Sequence, residues 1–229
     1  MRPDGVNNQR ISLLYTGQDA AAVISHIEDN QFKPNPSDML RHEEAITRIF
    51  TRQVILPAKF PKILSLDALE RSMADMDRDL NMVLRRIIYK SEYQIKIFMT
   101  DPAREDNGGG FMYNAFSRFV MENASRFKYK HYFPLLSREA KEAEFVDYAE
   151  TVVKHISQQL CAQTTYWRGK SFQSEKVLME SFFWVRKHRS REFETVVEKL
   201  RSFYPNLRFS LLGPTPPYNF VQLDFAENI

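Results

Sequence analysis

The chain has 229 residues, 43% of them apolar, with 18 Phe, 10 Tyr and 2 Trp. That is enough to fill real cores and excludes wholesale disorder. Lys plus Arg is 32 against 29 Asp plus Glu, a near balance that argues against a dedicated nucleic-acid binder with a concentrated basic excess.

Cys161 is the single cysteine, so no intrachain disulfide forms and a reducing compartment is expected. No apolar leader opens the chain, and no run of about 18 apolar residues offers a membrane span. A soluble, cytosolic protein is expected, with no membrane partner.

Residues 1–10 are polar. Ile11-Ser12-Leu13-Leu14-Tyr15 reads as a strand. Residues 19–27 are ambiguous, because their alanines favour helix while Val23 and Ile24 favour strand. Residues 30–38 hold Pro34 and Pro36 and read as a loop. Ser37 or Asp38 then caps a helix carrying Leu40, Ala45, Ile46, Ile49 and Phe50 on one face. Residues 54–56 read as a short buried strand stopped by Pro57. Ser65 caps one long helix over 66–89, with Leu69, Met73, Met76, Leu80, Val83, Leu84, Ile87 and Ile88 at helical spacing.

Tyr93 to Phe98 alternates apolar and polar, as a half-buried strand does. Residues 101–110 contain three consecutive glycines but no strand–GxxxxGK–helix pattern, so they form no phosphate loop. Residues 111–128 read as an aromatic-rich helix. Ser137 caps a second long helix over 138–160, with Phe145, Tyr148, Ala149, Val152 and Ile156 on one side. Residues 164–167 and 177–185 read as strands, Ser190 caps a helix over 191–203, and 207–212 form the last strand.

From residue 92 the order is strand, helix, strand, strand, helix, strand, the βαββαβ order of a ferredoxin-like sheet. The expected class is α+β, with an N-terminal α+β domain at 1–90 and a C-terminal ferredoxin-like domain at 91–212. A Pro-rich C-terminal tail at 213–229 completes the chain.

Catalytic patterns are lacking. His26, His42, His131, His155 and His188 show neither HxxxH nor HExxH spacing, and Cys161 has no CxxC partner, so no metal site is expected. His42-Glu43-Glu44 invites an acid/base reading, but neighbouring residues point to different helix faces and form no dyad. No GxSxG or GxGxxG occurs. Catalytic, cofactor-binding and metal residues are therefore all expected to be absent. Two alternatives remain. One is an enzyme on a ferredoxin-like scaffold, with a polar pocket around His42, Arg85 and Glu92. The other is a nucleic-acid-binding module using the basic-aromatic segments 126–132 and 186–191, against which the balanced charge speaks.

The stretch 211–220, LLGPTPPYNF, is the most specified part of the chain. Gly213 supplies dihedral freedom, while Pro214, Pro216 and Pro217 fix φ and remove donors. Such a segment does not pair as an inner strand. Tyr218 and Phe220 follow. Pro214, Pro216, Pro217, Tyr218 and Phe220 are the candidate partner-binding residues, and packing of the tail back onto its own domain is the competing role.

GPTPPYNF at 213–220 resembles the Gly-Pro-Trp-Pro-Pro-Tyr-Ser-Phe signature of the gas vesicle proteins GvpF and GvpL. Other segments agree in order: AAVIS at 21–25, His42, VILPAKF at 54–60, the passage from Leu80 to Phe98 with Glu92, and the strand at 177–185. The resemblance covers nearly the whole chain from about residue 10. Thr215 stands where that signature has tryptophan, and Pro61 where the family usually has glycine. The family's Tyr-rich opening strand is not found before residue 5, which suggests a truncated or shortened start. The resemblance implies a non-catalytic accessory protein of gas vesicle assembly, located in the cytoplasm at the vesicle. The implied partners are the apolar shell protein and other gas vesicle accessory proteins, with no cofactor and no nucleic acid. The implied role is to help nucleate or build the shell.

Overall fold

The computed structural model describes residues 5–15, 20–27, 32–99, 120, 138–174 and 177–221. The chain divides into two compact units, one of Met1–Ser91 with Thr215–Ile229, the other of Glu92–Pro214. The architecture is mixed α+β.

The first unit opens with a 3-10 turn, Val6–Asn8, and two strands, β1 (Ile11–Tyr15) and β2 (Ala21–Ser25). The ambiguous segment is thus a strand. It pairs antiparallel with β1, Leu13 opposite Val23 and Tyr15 opposite Ala21. β-branched Val23 and Ile24 prevail over the alanines because the ladder supplies tertiary pairing.

Helix α1 (Pro36–Phe50) begins earlier than the expected caps. Asn35 is the N-cap, Pro36 sits in the first turn, and Asp38 completes a capping box. Proline is preorganised for that position, where no amide partner is needed. Asp38 is 3% exposed. Its Oδ1 accepts from the Asn7 amide at 2.9 Å, and its Oδ2 accepts from the Asn35 amide at 3.1 Å. Asp38 therefore ties the 3-10 turn to the start of α1. Asn7 holds φ 54° and ψ 35°, a left-handed conformation that asparagine tolerates better than most residues. Ala45 and Ile46 are buried in α1, whereas Leu40 is 62% exposed and does not join them.

Residues 54–59 form no strand. Pro57 removes a donor from this segment, which has no ladder partner among the described residues. The long helix expected over 66–89 is two helices, α2 (Leu66–Asp75) and α3 (Asp77–Ile87), separated at Met76 with φ −102° and ψ 5°. Ser65 caps α2 as expected, its Oγ accepting from the Ala68 amide at 3.2 Å. Aspartate is a poor helix-interior residue and a good first-turn one. Asp77 and Asp79 occupy the first turn of α3, so the break falls where the sequence favours a new start.

The second unit contains β3 (Lys90–Met99), α4 (Arg138–Cys161), β4 (Tyr166–Ser174), β5 (Val177–Arg186), α5 (Ser190–Phe203) and β6 (Leu207–Thr215). The sheet order is β4-β5-β3-β6, and β4 and β5 form an antiparallel hairpin. The expected helix at 111–128 and loop at 101–110 lie outside the described residues, Val120 excepted.

One face of β3, with Tyr93, Ile95, Ile97 and Met99, joins Ile156 and Leu160 of α4 and Phe193 and Val197 of α5 in a single core. Tyr93 and Phe193 pack at 4.9 Å between ring centres, and Phe183 and Phe193 at 5.5 Å. Buried aromatic pairs of this kind add specificity to area burial. The other face of β3 is partly polar. Gln94 and Lys96 reach Glu180 at 2.6 Å and 2.9 Å, and Arg208 lies 5.0 Å over the Phe98 ring.

Ser190 is the first residue of α5 rather than its cap, and no side chain caps that end. Its hydroxyl bonds Tyr93 instead.

Candidate functional site

β6 runs to Thr215, three residues beyond the expected strand end, so the Pro-rich segment starts inside it. β6 is an edge strand of its sheet, so a proline is tolerated there. Gly213 has φ 137°, and both Phe60–Pro61 and Gly213–Pro214 are cis. A Cβ built on Gly213 would lie 2.7 Å from Tyr93 Cδ1 and 2.8 Å from the Glu92 carbonyl oxygen. Conformation and space therefore both demand glycine at this point.

The five candidate residues have different surroundings. Pro214 is exposed, Pro216 and Pro217 are buried, and Tyr218 and Phe220 are half-buried. The Tyr218 hydroxyl donates to Glu43 Oε2 of α1 at 3.0 Å, and the Tyr218 amide donates to the Pro216 carbonyl at 2.9 Å. The tail is thus tied to α1 within the first unit. Glu43 escaped the sequence reading as its partner because 175 positions separate them.

On the same helix, His42 Nε2 lies 3.3 Å from the Ala58 carbonyl oxygen, and its ring sits 5.2 Å from Phe60. His42 therefore fastens Ala58 and Phe60 to α1. Glu43 and Glu44 are exposed, and Glu44 pairs loosely with Arg48 at 3.9 Å. Arg85 is exposed near the end of α3, and Glu92 is buried in β3.

Three ionisable groups of the second unit, Tyr93, Cys161 and Tyr204, have pKa values raised by burial. Burial pushes Tyr93 up to about 12, opposed by the Ser190 hydrogen bond and assisted by Glu194. The Tyr93 hydroxyl donates to Glu194 Oε1 at 2.8 Å. Burial raises the Cys161 thiol, which suits a small packed residue rather than a nucleophile. Burial also raises Tyr204, whose hydroxyl lies 2.8 Å from His155 Nδ1.

Among the described residues no group of three or more His, Cys, Asp or Glu is placed to hold a metal ion. No described helix is long and apolar enough to cross a membrane. Segment 126–132 lies outside the described residues. In 186–191, Arg189 is bonded to Glu192 at 2.9 Å and to Gln163.

The family model for the gas vesicle synthesis protein GvpL/GvpF matches residues 2–222. The chain belongs to that family. Its fold is similar to the crystal structure of GvpF from Anabaena sp. PCC7120, with TM-score 0.75 and 16% identity, covering 96% of this chain and 91% of that one. GvpF from Microcystis aeruginosa is similar with TM-score 0.72 and 14% identity, covering 96% and 92%. No curated protein matches the chain.

Proposed function

We propose that this chain is a non-catalytic accessory protein of gas vesicle assembly. It acts in the cytoplasm at the vesicle, binds the apolar shell protein and other accessory proteins, and helps nucleate or build the shell. Family membership over residues 2–222 is the observation that carries this reading.

Two further observations support it. The ionisable groups with displaced pKa values serve packing. The β1–β2 ribbon offers an apolar outward face, where Leu13, Tyr15 and Val23 are 54%, 69% and 38% exposed. An apolar, aggregation-prone partner needs such surfaces to be held before it is incorporated.

The layout belongs to the same reading: an N-terminal α+β domain, a ferredoxin-like domain and a Pro-rich tail. The strand–helix–strand–strand–helix–strand order and the β4-β5-β3-β6 sheet favour the ferredoxin-like assignment. In the tail, buried Pro216 and Pro217 set the path, while Pro214, Tyr218 and Phe220 retain surface for a partner. Co-expression with the main shell protein tests the proposal. The two are expected to co-purify, and a shell protein that never associates overturns it.

A further inference from the structure

Two exposed helix faces of the first unit are complementary in charge. On α3, Arg78, Met82 and Arg85 recur four and three positions apart, so they share one face of the helix. Leu80 and Ile87, the buried residues of α3, lie on the opposite side. Arg78 and Arg85 are exposed, Met82 is 57% exposed, and Tyr89, in the turn after the helix, is 71% exposed. Neither of these arginines has a hydrogen-bond or ion-pair partner among the described residues. Asp79 is exposed as well, but it sits about 100° round the helix from Arg78, at the margin of the face.

On α1 the outward face carries Leu40, Glu43 and Glu44, again three and four positions apart. Ala45 and Ile46 are buried on the other side. Leu40 is 62% exposed. Glu43 accepts from the Tyr218 hydroxyl and Glu44 lies 3.9 Å from Arg48, yet both glutamates remain exposed. One face is therefore cationic around a methionine, and the other is anionic around a leucine. Arginine, methionine and tyrosine are side chains that protein interfaces favour.

Charge selects the occupant. Packing α3 on α3 of another copy would set arginine against arginine, and α1 on α1 glutamate against glutamate, both unfavourable. Packing α3 of one copy on α1 of another sets arginine against glutamate. The spacing agrees. With Leu40 over Met82, the three- and four-residue steps to Glu43 and Glu44 match the step from Met82 to Arg85 in one helix direction and to Arg78 in the other. A single helix pair buries less than a standard interface, so the association is weak and depends on local concentration.

We propose that the Arg78–Met82–Arg85 face of α3 docks the Leu40–Glu43–Glu44 face of α1 in a second copy of this chain. The contact is heterologous, so a copy held through one face still offers the other. This goes beyond binding of the shell protein and does not depend on it.

Analytical ultracentrifugation of the full chain tests the proposal. The average mass of the wild type is expected to rise with concentration, with half-association on the order of 0.1 mM. Raising salt from about 0.05 to 0.5 M should weaken it about tenfold. Two variants separate the faces, Arg78→Glu with Arg85→Glu on α3, and Leu40→Arg with Glu44→Arg on α1. Each alone is expected to stay monomeric. An equimolar mixture recovers association, because the intact α3 of one variant meets the intact α1 of the other. All four positions are exposed, so unchanged thermal unfolding is expected for both variants. Should either unfold, hydrogen exchange of the wild type decides, with protection of α1 and α3 together as concentration rises. A wild type that is monomeric at about 1 mM, a variant that associates alone as the wild type does, a mixture that stays monomeric, or protection away from α1 and α3 overturns the proposal.

Discussion

Gly213 and Tyr93 approach so closely that a single methyl group added to the glycine would sit 2.7 Å from the ring carbon Cδ1. Gly213 lies in β6 and Tyr93 in β3, neighbours in the sheet. The glycine also holds φ 137°, where an L side chain is strained. Gly213→Ala is expected to destabilise the protein by about 2–4 kcal/mol, from backbone strain plus overpacking. Urea unfolding measures it. Leu212→Ala is the control: that side chain is 59% exposed, and its loss should cost no more than about 0.5 kcal/mol.

Tyr218 tests what the tail does. Its hydroxyl donates to Glu43 at 3.0 Å, in an exposed setting, so Tyr218→Phe should cost at most about 1 kcal/mol. Tyr218→Ala also removes the ring. Lost stability with association intact indicates that the tail serves internal packing. Lost co-purification of the shell protein with stability unchanged indicates a partner surface. A double-mutant cycle with Glu43→Ala isolates the coupling between the two side chains, expected at under about 1 kcal/mol.

Asp38 is the first unit's most committed polar residue, 3% exposed and accepting from the amides of Asn7 and Asn35. Asp38→Ala should cost about 2–4 kcal/mol by leaving those donors without their acceptor and removing half of the capping box. Asp38→Asn should cost nearly as much, because one of its two acceptor atoms becomes a donor facing an amide. Thermal unfolding gives the size. Faster hydrogen exchange at Asn7 and Asn35 gives the location.

Local chemistry was legible in the sequence, and long-range pairing was not. Ser65 as a cap, the apolar stripe of α4 and the stiffness of 213–217 all follow from residue type and spacing. The start of α1 is hard to read because Asn35 and Pro36 suit a loop as well, although a capping residue followed by proline also opens a helix. The break at Met76 was hidden by apolar spacing that continues across it, while the aspartates around it favour two helices. Segment 54–56 looked like a strand because it is apolar, yet pairing needs a neighbour that no local pattern supplies. Ser190 looked like a cap, but its hydroxyl serves Tyr93, almost a hundred positions away. In the candidate site the proline scaffold was readable, whereas the Tyr218–Glu43 contact and the space requirement at Gly213 arise only when distant segments meet.

Tyr93 makes the second unit sensitive to alkali. In the folded protein its hydroxyl is pushed from 10.0 to about 12, chiefly by burial. The unfolded chain therefore releases this proton first as pH rises. Below about pH 10 both states keep it and stability does not depend on it. Between about pH 10 and 12 the native state holds the extra proton, so stability falls with pH. The loss approaches about 2–3 kcal/mol once both forms are ionised. Tyr93→Phe removes the ionisable group and should flatten this limb of the stability profile. It also withdraws the donor that Glu194 accepts at 2.8 Å, lowering stability near neutrality by about 1 kcal/mol. Chemical denaturation from pH 8 to 11.5, wild type against variant, checks both effects. Parallel profiles across that range would show that Tyr93 ionises alike in the two states.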